Sequence, residues 1–462
     1  MVKKAWELSR EKTDDAVPKI LKDEEQTWED SIDVGDAEDF HLRLLWNSNV
    51  PGSFAPESIM LAAIQAKENM GYIVSGGVEL WEAGQDAYAR NDMVALNQIS
   101  SKLWYSVNSA QKDMQHPSWK FTRYESWEQL TTSVQFQEPS PVDKGSFYDK
   151  IYAGWMSQII GGAIGTMIEG YTTDAIRQQL GEVRSYLRNV NTFNDDITYE
   201  LAFLDAYKKK GKNITSQDVA EAWIGLIPSG WSAEEISLRN IRCGIMPPDS
   251  GRIGNPFGEW IGAQMRGAIC GMIAPGNPKE AARLAWIDGE VSHFNNGIIG
   301  EVFNAMIVSL SFTMSDIRQI VESSVSMIPS DSEYFHIVSF ALNACKEEQS
   351  WEKAWRRCEK RIERYNWIHA YPNAMAEVIA LWFGNSDFDE TAYIISMEGQ
   401  DVDCNAAQIL TAIGILHGMD KIRAEWSNPI GDSLQTYMRG KYRGLSIRSL
   451  AKETADTCLL ND

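Results

Sequence analysis

The apolar residues of this chain recur at spacings of three and four, and this periodicity is the strongest constraint that the sequence places on the fold. In the stretch AYPNAMAEVIALWF, Met375, Ile379 and Trp382 follow that spacing, as one face of an α-helix does. The same pattern occurs in segments 57–70, 94–112, 198–208, 278–287, 297–312 and 405–416. Strict alternation with β-branched residues is rare, and 131–136 (TTSVQF) is the best strand candidate. We therefore predict an all-α fold.

The aromatic content and the length indicate a substantial folded core. The 462 residues include 17 Trp, 16 Tyr and 15 Phe, and these supply enough apolar surface to exclude disorder as the dominant state. At ~150 residues per domain the length suggests about three domains, and one large core with an extension fits equally well. The prolines and glycine of QEPSPVDKG predict a boundary at 137–145. We expect a mainly helical N-terminal extension over residues 1–145 and a second domain over residues 146–462.

The excess of acidic residues excludes several kinds of partner. The chain has 64 Asp and Glu against 43 Lys and Arg, a formal net charge of −21. Such a surface repels phosphate backbones and anionic lipid head groups, so we expect neither nucleic-acid nor membrane binding. The six cysteines form no CxxC pair, and we identify neither a signal peptide nor a membrane span. A soluble, cytoplasmic protein with reduced cysteines is expected.

A glycine-rich stretch and an isolated glutamate follow the predicted boundary. The stretch GGAIGTMIEG covers 161–170, and its small residues favour close helix packing. Glu169 is the first charged residue after Lys150 and lies between an apolar residue and a glycine. A carboxylate in that setting is expected to be partly buried and to need a partner.

Two pairs of acids each precede an apolar helical segment. Asp195 and Asp196 follow Asn194, while Asp401 and Asp403 are two positions apart and project alike if that segment is extended. A helix N-cap explains one acid of each pair, but adjacent acids repel each other unless a cation or solvent screens them. Four carboxylates that converged in a helical bundle would need roughly two divalent cations. Ligation by oxygen alone favours Mg²⁺, Mn²⁺ or Ca²⁺ over Zn²⁺.

A second glycine-rich stretch, GRIGNPFGEWIGAQMRG at 251–267, permits tight turns or close approach of the backbone to a ligand. It contains no GK[ST], and no strand precedes a GxGxxG, so neither nucleotide-binding fingerprint is present. Further on, His293 and Asn296 lie in the amide-rich segment SHFNNG at the start of another helix. A loop that enters a helix and a structural histidine are the alternatives to a binding site.

Taken together and in this order, these stretches resemble the motifs of the ADP-ribosylglycohydrolase family, which includes the dinitrogenase-reductase-activating glycohydrolase. The resemblance spans roughly 146–426 and does not cover residues 1–145. Each motif is short, but the combination is specific. The matching positions are Gly161 to Glu169, Asn194-Asp195-Asp196, Gly254-Asn255 through Ala263-Gln264-Met265-Arg266, and Gly399-Gln400-Asp401-Val402-Asp403-Cys404.

The resemblance implies an ADP-ribosylglycohydrolase-like helical bundle with an N-terminal helical extension. It also implies a hydrolase that uses Mg²⁺ or Mn²⁺, with two ions, to cleave an O- or N-ribosyl bond of a small or protein-linked substrate, ADP-ribosyl or nucleoside-like. The implied metal ligands are Asn194, Asp195, Asp196, Asp401, Asp403 and Cys404. The implied catalytic residues are Glu169, Asp196 and Asp401. The implied substrate contacts are Gly262, Met265, Arg266, His293 and Asn296.

Three positions depart from the family's pattern. Thr166 stands where many members have Asp, and both Asn194 and Cys404 stand where the family has Thr. Because a soft sulfur is a poor Mg²⁺ ligand, Cys404 is expected to weaken or remove one of the two metal sites. Two alternatives therefore stay open: a family member that binds a ribosyl ligand without turning it over, and a structural helical protein whose acid pairs are caps. For residues 1–145 the sequence leaves open an active-site cover, a homo-oligomer contact or a partner-binding role.

Overall fold

The computed structural model describes residues 2–27 and 30–459, and 64% of the chain is helical. The strands of the described residues are three short antiparallel pairs, so the all-α prediction is confirmed. The chain divides into two compact units, Met1–Leu45 and Trp46–Asp462. The first unit holds α1 (Ala5–Asp14), a 3₁₀ turn (Asp23–Glu25) and all but the last residue of α2 (Asp30–Trp46).

The second unit begins with short helices and two strand pairs that precede the predicted boundary. These elements are β1 (Ser48–Asn49), β2 (Pro56–Glu57), α3 (Ile59–Asn69), β3 (Tyr72–Ile73), α4 (Gly77–Ala89), α5 (Met93–Asn108), β4 (Gln111–Lys112), a 3₁₀ turn (Pro117–Lys120) and α6 (Trp127–Ser133). β1 pairs with β2, and β3 pairs with β4. An irregular segment, 134–146, leads from α6 to the next helix.

The rest of the second unit is a helical bundle with one strand pair near its end. Its helices are α7 (Phe147–Gly165), α8 (Thr173–Leu180), α9 (Asp195–Lys210), α10 (Ser216–Leu226), α11 (Ser232–Arg242), α12 (Asp249–Arg252), α13 (Gly267–Ile273), α14 (Pro278–Gly289), α15 (Asn296–Leu310), α16 (Ile317–Ser326), α17 (Glu333–Glu347), α18 (Trp351–Ile362), α19 (Ala370–Gly384), α20 (Phe388–Glu398), α21 (Val402–His417), α22 (Ala424–Ser427) and α23 (Ile447–Leu459). The strands are β5 (Leu434–Gln435) and β6 (Gly444–Leu445). Four 3₁₀ turns join these elements: Gly211–Asn213, Gln264–Arg266, Met419–Lys421 and Gly440–Arg443.

The helical periodicity located the elements well, whereas the strand prediction was wrong. Each of the seven apolar segments identified in the sequence contains a helix, namely α3, α5, α9, α14, α15, α19 and α21. The strand predicted at 131–136 is instead the end of α6 followed by unpaired chain. The Ser126 hydroxyl caps α6 by accepting a bond from the Gln129 N–H at 3.2 Å, so local capping outweighs the β preference of the threonines.

Residues on both sides of position 145 belong to the second compact unit. For example, the Tyr124 N–H donates to Asn295 Oδ1 at 2.9 Å, and Arg364 Nε donates to Asn69 Oδ1 at 2.8 Å. The division of the chain at 145/146 stays a prediction. Among the described residues, no helix is long and apolar enough to cross a membrane.

Candidate metal centre

Close packing of α7 against α21 brings the motifs of the two helices together. Gly161 lies against the backbone of Ala406 and Ala407, and Gly165 lies against the backbone of Asp403, with no room for a Cβ at either glycine. Gly162 faces the side-chain amide of Asn194. Because these glycines have no side chains, the first turn of α21 can approach α7 closely. The glycine stretch therefore both packs the two helices together and brings the acids of α21 toward Asn194.

The first acid pair lies at the start of α9, where the side chain at the N-cap position does not cap the helix. Asn194 occupies the N-cap position but makes no capping bond, and its Nδ2 donates instead to Asp403 Oδ2 at 3.1 Å. Asp196 is fully buried, and neither of its carboxylate oxygens has a hydrogen-bond partner among the described residues. Asp195 is half-buried. Capping therefore does not account for Asp196, whereas the Asp195 carboxylate interacts with backbone N–H groups of the first turn, which opposes the rise that burial causes in its pKa.

The second acid pair lies at the start of α21 and also fails to cap its helix. Asp401 is at the N-cap position without a side-chain capping bond, and its backbone N–H donates to Asn373 Oδ1 at 3.1 Å. Asp403 lies in the first helical turn rather than in an extended segment, and its Oδ1 has no partner among the described residues. Both side chains are buried.

Glu169, Asp196, Asp401 and Asp403 converge on one buried point, and the half-buried Asp195 lies close enough to interact electrostatically with Asp403. We call the whole set the acidic centre: Glu169, Asn194, Asp195, Asp196, Asp401, Asp403 and Cys404. The acidic centre contains two groups of three ligand atoms. Within each group, the three atoms lie within 4.8 Å of one another. One group comes from Glu169, Asp401 and Asp403, and the other comes from Asp196, Asp403 and Cys404. Asp403 is common to both groups and joins them.

Burial and mutual repulsion dominate the electrostatics of the acidic centre. Desolvation, followed by the negative charge of Asp403, raises the pKa values of Glu169, Asp196 and Asp401 well above the usual carboxyl range. Burial, followed by the charge of Asp196, also raises the pKa of the Cys404 thiol. No Lys or Arg forms an ion pair with these acids among the residues that the structure describes. The centre therefore needs either protons or a bound cation.

The donor set of the acidic centre fits a hard divalent cation. The buried oxygens without a partner among the described residues include both of Asp196, Oδ1 of Asp403 and Oδ1 of Asn194. Carboxylate and amide oxygens are the ligands that Mg²⁺ and Mn²⁺ prefer. The Cys404 sulfur, 3.7 Å from Met265 Sδ, is the one soft atom of the set. These residues could hold a metal, and the identity of the ion stays a prediction.

Arg266, predicted to contact the substrate, lies at the middle of a second buried network. This Arg266 cluster consists of Arg266, Glu234, Asp288 and Glu301, all of which are buried. The guanidinium bonds Asp288, donates to Glu234 Oε1 at 3.1 Å and lies 3.9 Å from Glu301 Oε2. Gly262 belongs to the same network, since its carbonyl accepts from Arg266 Nη1 at 2.7 Å. A Cβ at residue 262 would collide with the Glu234 carboxylate.

Of the remaining predicted substrate contacts, one lies beside each network and the third lies in neither. Met265 touches the acidic centre through Cys404. His293 is fully buried beside the Arg266 cluster, where its Nδ1 lies 2.7 Å from Ser292 Oγ. Asn296 donates to Glu259 Oε1 at 2.9 Å. Substrate binding by Gly262, Met265, Arg266, His293 and Asn296 stays a prediction, and the side chains of the last three are engaged inside the protein.

Sequence reasoning missed the acids of the Arg266 cluster. Glu301 is the only charge in the apolar run GIIGEVFNAMIVSL, and Asp288 ends the mainly apolar stretch LAWID. The criterion that selected Glu169, a lone charge in apolar surroundings, would have selected both. The buried position of Glu234 has no comparable signal, because that residue lies among polar neighbours in SAEE.

A hairpin from outside the motif-bearing region borders the acidic centre. This rim hairpin, 48–57, comprises β1, β2 and their connection. On one side the Tyr171 hydroxyl donates to the Ser53 carbonyl at 3.1 Å, two residues after Glu169. On the other side Trp231 Nε1 donates to Glu57 Oε2 at 2.9 Å.

The helical bundle and its buried acidic centre define an all-α protein with a candidate metal site. The chain belongs to the ADP-ribosylglycohydrolase family, whose model matches residues 143–459. A solved structure described as an ADP-ribosylglycohydrolase-related protein complex is similar over 69% of this chain and 99% of that chain, with 15% identity and a TM-score of 0.49. No curated protein matches the chain. Family membership supports a glycohydrolase-type function.

Proposed function

We propose that this protein is a metal-dependent hydrolase that cleaves an O- or N-ribosyl glycosidic bond. One observation carries the proposal: Asp196 of the first acid pair converges on a buried point with Glu169 and with both acids of the second pair, Asp401 and Asp403. Oxygens of Asp196 and Asp403 there have no hydrogen-bond partner in the described part of the chain. A purely structural protein gains nothing from such a cluster, because unpaired buried carboxylates destabilise a fold.

Under this proposal Asp195, Asp196, Asp401 and Asp403, with the amide oxygen of Asn194, would hold Mg²⁺ or Mn²⁺. Such ions, when bound, fix ribose hydroxyls and acidify a coordinated water. The negative charge of the carboxylates would hold the ions in place. The position of the carboxylates would therefore determine where the ribose binds. Cys404 takes the position of a hydroxyl ligand and contributes less to a hard cation.

Glu169 suits the role of the base in the hydrolysis, because a cation bound by the acidic centre would oppose the rise in its pKa that burial and then the neighbouring negative charges cause. Glu169 lies at the edge of the acidic centre, in the loop between α7 and α8, and 8% of its surface is exposed to solvent. Bond cleavage at the anomeric carbon passes through an oxocarbenium-like state. Water forms the new C–O bond and gives one proton to Glu169, while the C–O or C–N bond to the leaving group breaks. The leaving group takes a proton from solvent and departs as an alcohol or amine, and Glu169 returns its proton to solvent. Asp196 and Asp401 fix the position at which this occurs.

The proposed substrate is small or protein-linked and either ADP-ribosyl or nucleoside-like. We further propose that the protein binds neither nucleic acid nor membrane, since 64 acids against 43 basic residues repel both. Size-exclusion chromatography with light scattering would show whether it forms a homo-oligomer.

Release of ADP-ribose from ADP-ribosylated protein, and of ribose from simple nucleosides, tests the proposed activity. Activity should disappear in EDTA and return with Mg²⁺ or Mn²⁺, and Glu169→Gln should lower kcat about 10²-fold or more. Glu280→Gln, at a half-buried position outside the acidic centre, is the matched control. Full activity after verified metal removal would contradict metal dependence, and full activity of Glu169→Gln would remove the proposed base.

The chemistry of Cys404 and Thr166 favours a second candidate, a protein that binds a ribosyl ligand without turnover. Cys404 replaces an oxygen ligand of the acidic centre, and Thr166, half-buried at the end of α7, supplies no carboxylate there. Calorimetric binding of ADP-ribose in Mg²⁺, with no product from any tested glycoside, would favour this candidate over the hydrolase.

A further inference from the structure

A second cavity lies away from the acidic centre, between elements that precede and follow residue 145. Its volume is about 230 Å³, and it shares no lining residue with the acidic centre. Charged and aromatic side chains dominate the lining, and Lys67 and Arg123 come from outside the part of the chain that matches the family. The lining residues are Lys67, Met70, Tyr72, Arg123, Tyr124, Glu125, Arg252, Asn255, Phe294 and Asn295.

Three cations face this cavity without an ion-pair partner. Lys67, Arg123 and Arg252 are half-buried, and within the described part of the chain none lies within ion-pair distance of a carboxylate. The cavity itself contains one acid, the exposed Glu125. An uncompensated basic cavity is unexpected in a chain with a net charge of −21, where acids to neutralise it are plentiful.

The backbone holds the guanidiniums in place without neutralising them. Arg123 Nη2 donates to the Met70 carbonyl at 2.9 Å, and the group stacks 4.2 Å from the Trp119 ring centroid. Arg252 Nη2 donates to the Glu125 carbonyl at 2.7 Å. Because each contact uses one of five N–H groups, further donors remain for a ligand.

Lys67 is held over an aromatic ring that also lines the cavity. Its Nζ lies 4.2 Å from the centroid of the Tyr72 ring. Burial, and then repulsion from Arg123, lowers the pKa of Lys67, so an anion placed between the two groups would relieve a real electrostatic cost. More distant carboxylates, Glu333 toward Arg123 and Glu290 toward Arg252, attract these groups without reaching them.

The chemistry of the lining selects the ligand. The amides of Asn255 and Asn295 are already bonded within the protein, so recognition rests on the three cations. Forked guanidinium donors match the oxygens of a phosphate group. The volume is below the ~300–1,000 Å³ typical of pockets for drug-sized ligands, which suits a phosphate or a sugar phosphate better than a dinucleotide.

We propose that this cavity binds the phosphate group of a small ligand through Lys67, Arg123 and Arg252. The site is independent of the acidic centre and would exist whether or not the protein hydrolyses a ribosyl bond. Its ligand is either inorganic phosphate or a phosphomonoester such as a pentose phosphate.

Titration calorimetry with inorganic phosphate, in EDTA so that no divalent ion contributes, tests the proposal on the full chain. We expect saturable binding that weakens at least tenfold in Lys67→Met and in Arg252→Met, because each variant keeps an apolar stem but loses the charge. Lys112→Met is the matched control, since this exposed lysine stacks on the same Trp119 ring at 4.6 Å but does not line the cavity. Near-ultraviolet circular dichroism would confirm that each variant is folded.

Ribose 5-phosphate and free ribose distinguish the sources of the phosphate. Tighter binding of ribose 5-phosphate than of inorganic phosphate would assign the site to a phosphomonoester, and equal affinity would assign it to the free ion. Absence of saturable phosphate binding, equal affinity of the cavity variants and the parent, or competition by free ribose would each overturn the proposal.

Discussion

The acidic centre and the Arg266 cluster contain similar acids at similar depth, yet they are neutralised in different ways. In the Arg266 cluster one guanidinium contacts Glu234 and Asp288 and lies near Glu301. It opposes the rise that burial causes in the pKa values of Glu234 and Asp288, whereas the pKa of Glu301, which lies farther from it, is raised well above the usual carboxyl range. In the acidic centre the neighbouring carboxylates add to the effect of burial instead.

This contrast distinguishes buried carboxylates that stabilise the fold, as in the Arg266 cluster, from buried carboxylates suited to binding a cation, as in the acidic centre. The Arg266 cluster contains a cation, so its three acids are partly neutralised as soon as the chain folds. The acidic centre contains none and is neutralised only when protons or a cation enter it from solution. The difference can be tested by removing a charge from each cluster, because the two changes should alter stability in opposite directions.

The largest expected effect is on the Arg266 cluster. Arg266→Met should lower the free energy of unfolding by about 3–5 kcal/mol, since it leaves buried carboxylates without their cation. Arg357→Met is the matched control, because Arg357 also pairs with two acids, Glu347 and Glu348, but near the surface, where the loss should stay below ~1 kcal/mol. Urea denaturation measures both. Equal small losses would show that the buried network is not a structural unit.

Asp403→Asn should have the opposite sign in metal-free protein. Removing the charge shared by both ligand groups relieves repulsion, so the free energy of unfolding in EDTA should rise by about 1–2 kcal/mol. In Mg²⁺ at a hundredfold excess over Kd the parent should gain about 2.7 kcal/mol, and the variant should gain much less. Asp456→Asn, in an exposed pair with Lys452, serves as control. A loss of stability in EDTA would refute the repulsion argument.

The acidic centre should also make metal-free stability depend on pH. Burial, and then the charge of Asp403, raises the pKa of Asp195 to about 6, against ~3.9 in an unfolded chain. The folded state therefore binds this proton more tightly. Its contribution is complete below pH ~4 and is lost as the pH rises through ~6, at ~1.4 kcal/mol per unit of raised pKa.

Thermal unfolding from pH 5 to 8 in EDTA, compared with that of Asp403→Asn, isolates this contribution from those of other buried acids. The parent should lose more stability than the variant over that range. Saturating Mg²⁺ should reverse the trend, because metal ligands must be ionised. Parallel profiles of parent and variant would contradict the coupling between Asp195 and Asp403.

The smallest expected effect concerns the sulfur of Cys404. Cys404→Thr supplies a hydroxyl oxygen in place of a soft ligand, so Mg²⁺ should bind about tenfold more tightly, or about 1.4 kcal/mol. Cys404→Ala removes the sulfur without adding an oxygen and should give no such gain. Magnesium titration by calorimetry compares the three proteins. No improvement in the threonine variant would show that the sulfur does not limit the site.

The sequence alone was sufficient for the fold class, and it also selected acids that the structure brings together, whose roles as metal ligands stay predictions. Helical spacing marks a buried face without any knowledge of its partner, and each acid pair is conspicuous at a helix start. The cap alternative needed the structure to decide it, because a cap and a ligand share one sequence pattern. At both N-cap positions, Asn194 and Asp401, the side chain makes no capping bond.

The rest depended on contacts between distant parts of the chain. Arg266 and its partner Asp288 are 22 residues apart, and Arg266 and Glu234 are 32 apart. Nothing in their local sequence specifies that they pair. The basic cavity likewise combines Lys67 and Arg123 with Arg252. The overall composition, in which acidic residues outnumber basic ones, gives no sign of this local positive charge. Single-sequence patterns locate faces and motifs, whereas pairing requires the folded chain.

The rim hairpin has a mechanical consequence for Glu169. Ser53 bonds Tyr171 just after this glutamate, and Glu57 bonds Trp231 on the other side of the hairpin. Any swing of the Glu169 loop must therefore carry the hairpin with it or break the Tyr171 bond. Opening and closing around a ligand would be a joint movement of two segments more than a hundred residues apart in sequence. The rate at which product leaves would then depend on residues that the family's own motifs do not include.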